Sequence, residues 1–435
     1  MISFIGIILG LALFMIMAYK GVNMVLSALT SACIMLVISG IAPLEGLSTS
    51  FLAGLARFVQ DYFLLFVLGA LLGRLMSDAG TARRIALSVA GLIGHCKTRR
   101  NQRLFCLLMV GALYFVLTYV GISGYVVVFT VMPIARDLYQ RTDTPWRLYC
   151  SAGPMSICGG MVVGSLNINN IYAADACGTG LSAGLRLSIV AVVTFTLVYL
   201  LVHFAMLRHL DRTGEGFLPS GSGIQGAALD EGLSEDQLPG LVPSVLSIAA
   251  VVVLSAVFGI NVNIVLLVGC VLTALVGWKN LRRKLGKSIS AGVGSSYAPI
   301  LNVGATYAIG TTLKSLEGFA VIESALSVLP PLLNGVGLGI ITTFVMANPA
   351  AAAATFGPKM LVHYLEAGIS AENAQRLMTI TGFAGMAPHN AGMTNASQVL
   401  RVPYADCLKV YLLYTMIPGA AALAVSLLCL TWGIV

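Results

Sequence analysis

The chain is built from long apolar stretches separated by brief polar ones. Runs at 2–19, 21–41, 181–207, 241–260, 262–278 and 410–434 are nearly free of charge, and each is close to the roughly 20 residues an α-helix needs to cross a bilayer. Two other stretches, 104–138 and 336–367, are longer than one crossing requires and break midway, at Thr118 to Gly124 and at Met346-Ala-Asn-Pro349. Arg103 and Arg136 flank the first of them, so both its ends belong on one side and the pattern predicts a re-entrant hairpin. The second predicts a hairpin entering from the opposite face. Two crossing segments, 146–175 and 374–402, are broken by polar residues, at Ser165 to Asn170 and at Pro388 to Ser397. Amphipathic patterns at 81–94 and 319–333 predict helices lying in the interface.

The two halves repeat one another about 238 residues apart. Ser50-Phe-Leu-Ala-Gly54 returns as Ser288-Ile-Ser-Ala-Gly292, Ser77-Asp-Ala-Gly80 as Ser315-Leu-Glu-Gly318, and Ala86-Leu-Ser-Val89 as Ala325-Leu-Ser-Val328. Arg147-Leu148 and Gly153 find counterparts in Arg376-Leu377 and Gly382. The expected fold is an all-α polytopic membrane protein with two inverted repeats, 1–207 and 241–435. Each holds scaffold helices, an interfacial helix, a re-entrant hairpin and a broken span. Weak internal symmetry of this kind marks secondary transporters with a site at the repeat interface.

Composition excludes a soluble globule: 58% of the residues are hydrophobic, 10% are charged and the mean hydropathy is +0.92. The net charge of +8 does not indicate nucleic acid, because the basic residues sit in short loops. Clusters at 97–103 and 279–287 belong on the cytoplasmic side, where positive loops collect. With them there, about 20 of the 25 Lys and Arg lie inside. Arg57, Arg186, Lys314, Lys359 and Arg376 lie outside, as do both termini. The expected location is the bacterial inner membrane, without a cleavable signal peptide, since the first apolar run lacks a basic leader. The linker, 208–240, is rich in Gly, Ser and acidic residues and is expected to be mobile. The nine cysteines show no CxxC or metal-ligand spacing and read as small buried hydrophobes, so neither a metal nor a cofactor is expected.

Irregular backbone at membrane depth must be buried in protein or line a wet cavity. The two hairpin tips and two broken spans are four such places, and a twofold relation would gather them near the midplane. Each exposes helix ends whose free N–H groups and positive dipole suit an anion, above all a carboxylate. The candidate binding residues are Ser123, Gly124, Ser165, Asn167, Asn169, Asn170, Asn348, His389, Asn390, Thr394 and Asn395. The alternative for each is a capping or helix-joining role. His389 is the candidate proton carrier, or else a donor to the substrate. Asp61 and Asp175 read as solvated external carboxylates, Asp78 with Arg83 and Arg84 as an interfacial charge cluster, and Gly69 with Gly73 as a close helix contact.

The segment from Leu68 to Ile85, LGALLGRLMSDAGTARRI, resembles the G-x-M-L-G-x-x-L-x-D-x-G-x-A-x-R-I stretch of the gluconate permease family, within the ion transporter superfamily of inverted-repeat carriers. Pro388-His389-Asn390 is similar to that family's P-H-N or P-H-S motif. Where many members carry Glu-Val-Gly at the first hairpin tip, this chain has Tyr119-Val-Gly121, without a carboxylate. The resemblance implies proton-coupled uptake of a sugar acid or other hydroxycarboxylate, a homodimer, and elevator movement of hairpins and broken spans against a scaffold. Sodium-coupled dicarboxylate or citrate transport is the nearest alternative. A cation/proton antiporter needs buried carboxylates that are missing here. A remoter alternative is an intramembrane serine protease, since Gly121 to Gly124 spells GxSG and Ser123 with His389 would supply nucleophile and base.

Overall fold

The computed structural model describes residues 2–20, 22–93, 96–119, 122, 124–225, 233, 235–256, 258, 260–326 and 328–435. Among them there are helices, turns and connections but no β-strand. The first half comprises α1 (Ile2–Tyr19), α2 (Met24–Ile38), α3 (Ala53–Ala79), α4 (Thr81–Ile93), α5 (Arg99–Tyr119), α6 (Gly124–Arg141), α7 (Met155–Met161), α8 (Ile168–Cys177) and α9 (Leu185–Thr213). The second half runs in the same order: α10 (Leu241–Ala256), α11 (Val262–Val276), α12 (Leu285–Lys314), α13 (Gly318–Leu326), α14 (Pro331–Met346), α15 (Pro349–Glu366), α16 (Ala371–Thr381), α17 (Ala391–Leu400) and α18 (Tyr404–Thr431).

Packing between the halves follows an exchange rule. The third helices, α3 and α12, lie against each other, and so do the last, α9 and α18. Helix α2 packs on α12 while α11 packs on α3; α1 packs on α13 while α10 packs on α4; α8 packs on α15 while α17 packs on α6. Local signals recur at the same spacing: Asn23 caps α2 through Val25 and Leu26, and Asn261 caps α11 through Asn263. One layer holds α1 to α4 and α10 to α13. The other holds the hairpins, the broken spans, α9 and α18, and the layers meet chiefly where α3 and α4 touch α6 and where α12 touches α14 and α17.

The protein is a multi-pass membrane protein. Five helical stretches, Ile2–Tyr19, Pro43–Ala79, Arg99–Tyr119, Leu185–Thr213 and Tyr404–Thr431, are long and apolar enough to cross a bilayer. Lipid-facing surface is legible on α9, where Leu185, Ile189, Val193, Leu197 and Leu201 are exposed on one helical stripe. Helix α12 is as long but poorer in large apolar residues; its small and polar positions, Ser296, Asn302, Gly304, Thr306 and Thr312, are buried against neighbours.

Several expectations need correction. The linker is not free along its length, because α9 runs on to Thr213 and the residues after it dock. The Phe217 N–H donates to Asp143 Oδ1 at 2.7 Å, and Arg147 grips Glu215 through two hydrogen bonds of 2.6 Å. That guanidinium holds the Glu215 carboxyl below the usual range. Asp78 pairs with Arg74 and Lys284 rather than with Arg83 and Arg84, whose side chains instead donate to backbone carbonyls of Leu233, Leu238 and Pro239. The second interfacial helix is shorter than 319–333, since Pro331 opens the next helix. Arg376, at the start of the second broken span, is fully buried.

Candidate functional site

Each hairpin is two helices packed along one another. Helices α5 and α6 lie against each other, and α14 and α15 turn at Ala347, whose φ of +46° is left-handed. Both broken spans stop and restart. Helix α7 ends at Met161, and Gly164, at φ +73°, swings the chain round to α8. The span begun by α16 continues as a short 3₁₀ turn to Gly385 and resumes as α17.

Within each half, hairpin tip and break are stitched together. In the first, Tyr119 O accepts from Leu166 N at 2.9 Å and from Ser165 Oγ at 3.3 Å. In the second, Asn390 Nδ2 donates to Ala347 O at 2.8 Å, and His389 Nε2 donates to Val345 O at 3.0 Å. The Tyr404 hydroxyl of α18 holds the Pro388 carbonyl. Backbone groups freed by the breaks are thus taken up by neighbouring segments, as a low-dielectric setting demands.

All four interruptions meet around one cavity of about 250 Å³. Its wall includes Ile122 and Gly124 of the first tip, Asn167 and Asn169 of the first break, Asn348 and Pro349 of the second tip, and Asn390 and Gly392 of the second break. The starts of α6, α8, α15 and α17 all lie on that wall, so four positive helix ends face one volume. None of the lining residues carries a charged side chain.

The expected binding residues divide accordingly. Gly124, Asn167, Asn169, Asn348 and Asn390 line the cavity; Ser165, Asn170, His389, Thr394 and Asn395 do not. Ser123 lies outside the described residues. Most of the asparagines also hold the frame. Oδ1 of Asn167, Asn348 and Asn390 caps α8, α15 and α17, while Asn395 Nδ2 donates to Tyr125 O across the halves at 2.8 Å. Ser156 Oγ, the Asn169 carboxamide and Asn348 Nδ2 have no hydrogen-bond partner among the described residues and remain available to a guest. His389 is wedged edge-on between Phe14 and Phe344.

Three features of the site escaped the sequence reading. Tyr62 and Leu65 of α3 close the cavity from the facing layer, in an aromatic cluster where Tyr62 lies edge-on to Tyr125 and Phe66 stacks on Tyr125. A second cavity of about 420 Å³ lies further along the same helices, toward Arg74 and Arg401, and is lined by Gly73, Phe129, Met132 and Val399. Phe66, Tyr125 and Phe129 form the layer between the two. The third is Arg376, which donates to Asn170 Oδ1 at 2.6 Å. Its place as the repeat counterpart of Arg147 was the one signal that could have set it apart from a loop arginine.

No family model matches the chain. It is similar to the uncharacterized transporter YxjC of Bacillus subtilis (strain 168), with 25% identity over 480 residues that cover 99% of each chain.

Proposed function

We propose that this protein is a secondary carrier of a small organic carboxylate, driven by an ion gradient. The observation that carries the reading is the meeting of four helix N-termini on a cavity whose wall bears no charged side chain. Partial positive charge from four directions, with no fixed counterion, suits a guest that brings its own negative charge. The full-length similarity to a protein named as a transporter supports the same class.

The two-layer packing supports a reading by alternating access. If each hairpin returns to the face it entered, a half crosses five times, by α1, α2, α3, the broken pair and α9. An odd count turns the second half over, as in inverted-repeat carriers. The layer of hairpins and broken spans then moves against the layer holding α3 and α12, carrying the cavity past the aromatic partition. The resemblance to gluconate permeases places the guest among carboxylates and the coupling ion as a proton, with sodium the alternative, in a homodimer of the bacterial inner membrane. Among the described residues no Asp, Glu or His lines the cavity, and Val120, Gly121 and Ser123, outside the described set, do not ionise. A co-transported proton would therefore ride on the guest's own carboxylate.

The test is uptake of radiolabelled carboxylates into proteoliposomes, with proton and sodium gradients imposed separately. Accumulation under one gradient, reduced by Asn390→Ala, is the expected result. Absence of uptake of any carboxylate under both gradients, by protein shown to be folded, overturns the proposal.

A further inference from the structure

The wall of the central cavity says more about its guest than its charge. Most of it is apolar: Leu65 of α3, Ile122 of the first tip, Ile157, Leu166 and Ile171 of the first broken span and Met386 of the second line it together with the rings of Tyr62, Tyr114, Tyr125 and Tyr411. Of the hydrogen-bonding side chains not spent on the frame, Ser156 faces the start of α6, Asn169 sits in the first turn of α8 and Asn348 is the cap of α15; the phenols Tyr62 and Tyr411 also border the cavity. The polar end of a guest has a place and its remainder meets hydrocarbon.

Resting on the carrier reading above, we infer that the transported anion is a compact monocarboxylate with an apolar body, branched-aliphatic or aromatic, and not a polyhydroxylated sugar acid. A sugar acid has a hydroxyl on nearly every carbon, and in this cavity several of them would be buried against Ile157, Leu166, Ile171 and Met386 without a partner. A buried hydroxyl that gives up water and gains no hydrogen bond weakens binding. An apolar pocket disfavours one added hydroxyl by up to about a hundredfold. The volume, about 250 Å³, lies just under the range of drug-sized pockets, so the body is small.

The experiment uses the full chain in proteoliposomes and in detergent, with four probes: 4-methyl-2-oxopentanoate, phenylacetate, gluconate and succinate. Competition for uptake and thermal stabilisation are both measured. The expected result is that the two apolar acids act at concentrations about a hundredfold below gluconate and succinate. Ile171→Ser should narrow that gap by about tenfold, a substitution on one wall residue whose folding the thermal trace reports independently. The inference is overturned if gluconate or succinate proves the best competitor, or if the gap is unchanged in folded Ile171→Ser and also in Ile157→Ser. If none of the four is transported or stabilises folded protein, the carrier reading itself fails, a result distinguishable from a hydroxylated acid winning.

Discussion

The Arg376 guanidinium donates to Asn170 Oδ1 at 2.6 Å, and this one contact ties the start of the second broken span to the interruption of the first. At the opposite end of the same pair, Trp146 Nε1 donates to Leu400 O at 3.0 Å. The two spans are therefore pinned at both ends, each by the leading segment of one and the trailing segment of the other. Arg376 is buried with no acidic residue bonded to it among the described residues; besides Asn170 it reaches the carbonyls of Met161 and Leu181 and the side-chain oxygen of Gln375. A buried charge held by neutral oxygens depends on every one of them.

Asn170→Ala removes the strongest acceptor of that set. The expected loss is about 2 kcal/mol, within the usual range for a hydrogen bond to a charged group, read as a lowered midpoint of thermal unfolding in detergent. Unchanged stability would show that the pinning carries no weight.

Glu215 gives the docked linker a pH dependence whose sign is fixed. Arg147 depresses the folded-state affinity of this carboxyl for protons. The stabilisation is therefore fully present above the unfolded value, about 4.3 for Glu, and disappears as pH falls through the lower folded value. The pair is partly solvated, which holds its contribution to about 1 kcal/mol. Hydrogen exchange at 214–218 should stay slow from neutral pH down to about 5 and quicken only below; Glu215→Gln should be quick throughout.

Gly73 sets the approach of α3 to the first hairpin. A methyl group there would stand 2.5 Å from the Phe129 carbonyl oxygen, a backbone atom that cannot swing aside. Gly73→Ala should cost about 1–3 kcal/mol, as overpacking does, and cut the uptake rate more than it changes substrate affinity. Equal rates in the variant and the parent would mean that the two helices are not in contact during transport.

The partition of Phe66, Tyr125 and Phe129 separates the central cavity from the basic one. Phe66→Leu keeps an apolar side chain but removes the ring. It should let a small anion such as iodide leak through proteoliposomes without a driving substrate, measured by efflux; tight vesicles would remove the partition's assigned role.

His389 is placed to hold the second tip rather than to carry a proton across. Its Nε2 is engaged by Val345 O and its ring lies between Phe14 and Phe344, off the cavity wall. His389→Gln, which keeps a donor for that carbonyl, should still concentrate substrate under a pH gradient alone, at a reduced rate. Loss of gradient response with binding intact would restore the histidine as the coupling group.

The order of helices was readable from hydropathy because spans, hairpins and breaks differ in length and in where polar residues interrupt them. The breaks began within a few residues of where they were expected, since Asn-rich and Pro-containing segments resist helix continuation and favour caps, but the second ends at Asn390 and not at Ser397, because α17 opens at Ala391. Side-chain direction was not readable. Asn390 and His389 are adjacent, yet one faces the cavity and the other the hairpin behind it, and nothing in the local pattern distinguishes them. Tyr62 looked like one more aromatic residue in a long apolar helix, because its role arises from a layer contact with residues far away in the chain. The enclosure of Arg376 is not legible either, because charge bias counts residues by side of the membrane without seeing which are enclosed.

The exchange of partners between halves also bears on synthesis. Helix α8 packs against α15 and α17 against α6, so a chain that has emerged only as far as α9 holds two polar interruptions with nothing opposite them. Such an intermediate would need shelter from lipid by the insertion machinery until its sister segments arrive, and assembly of this membrane core should be late and cooperative rather than helix by helix.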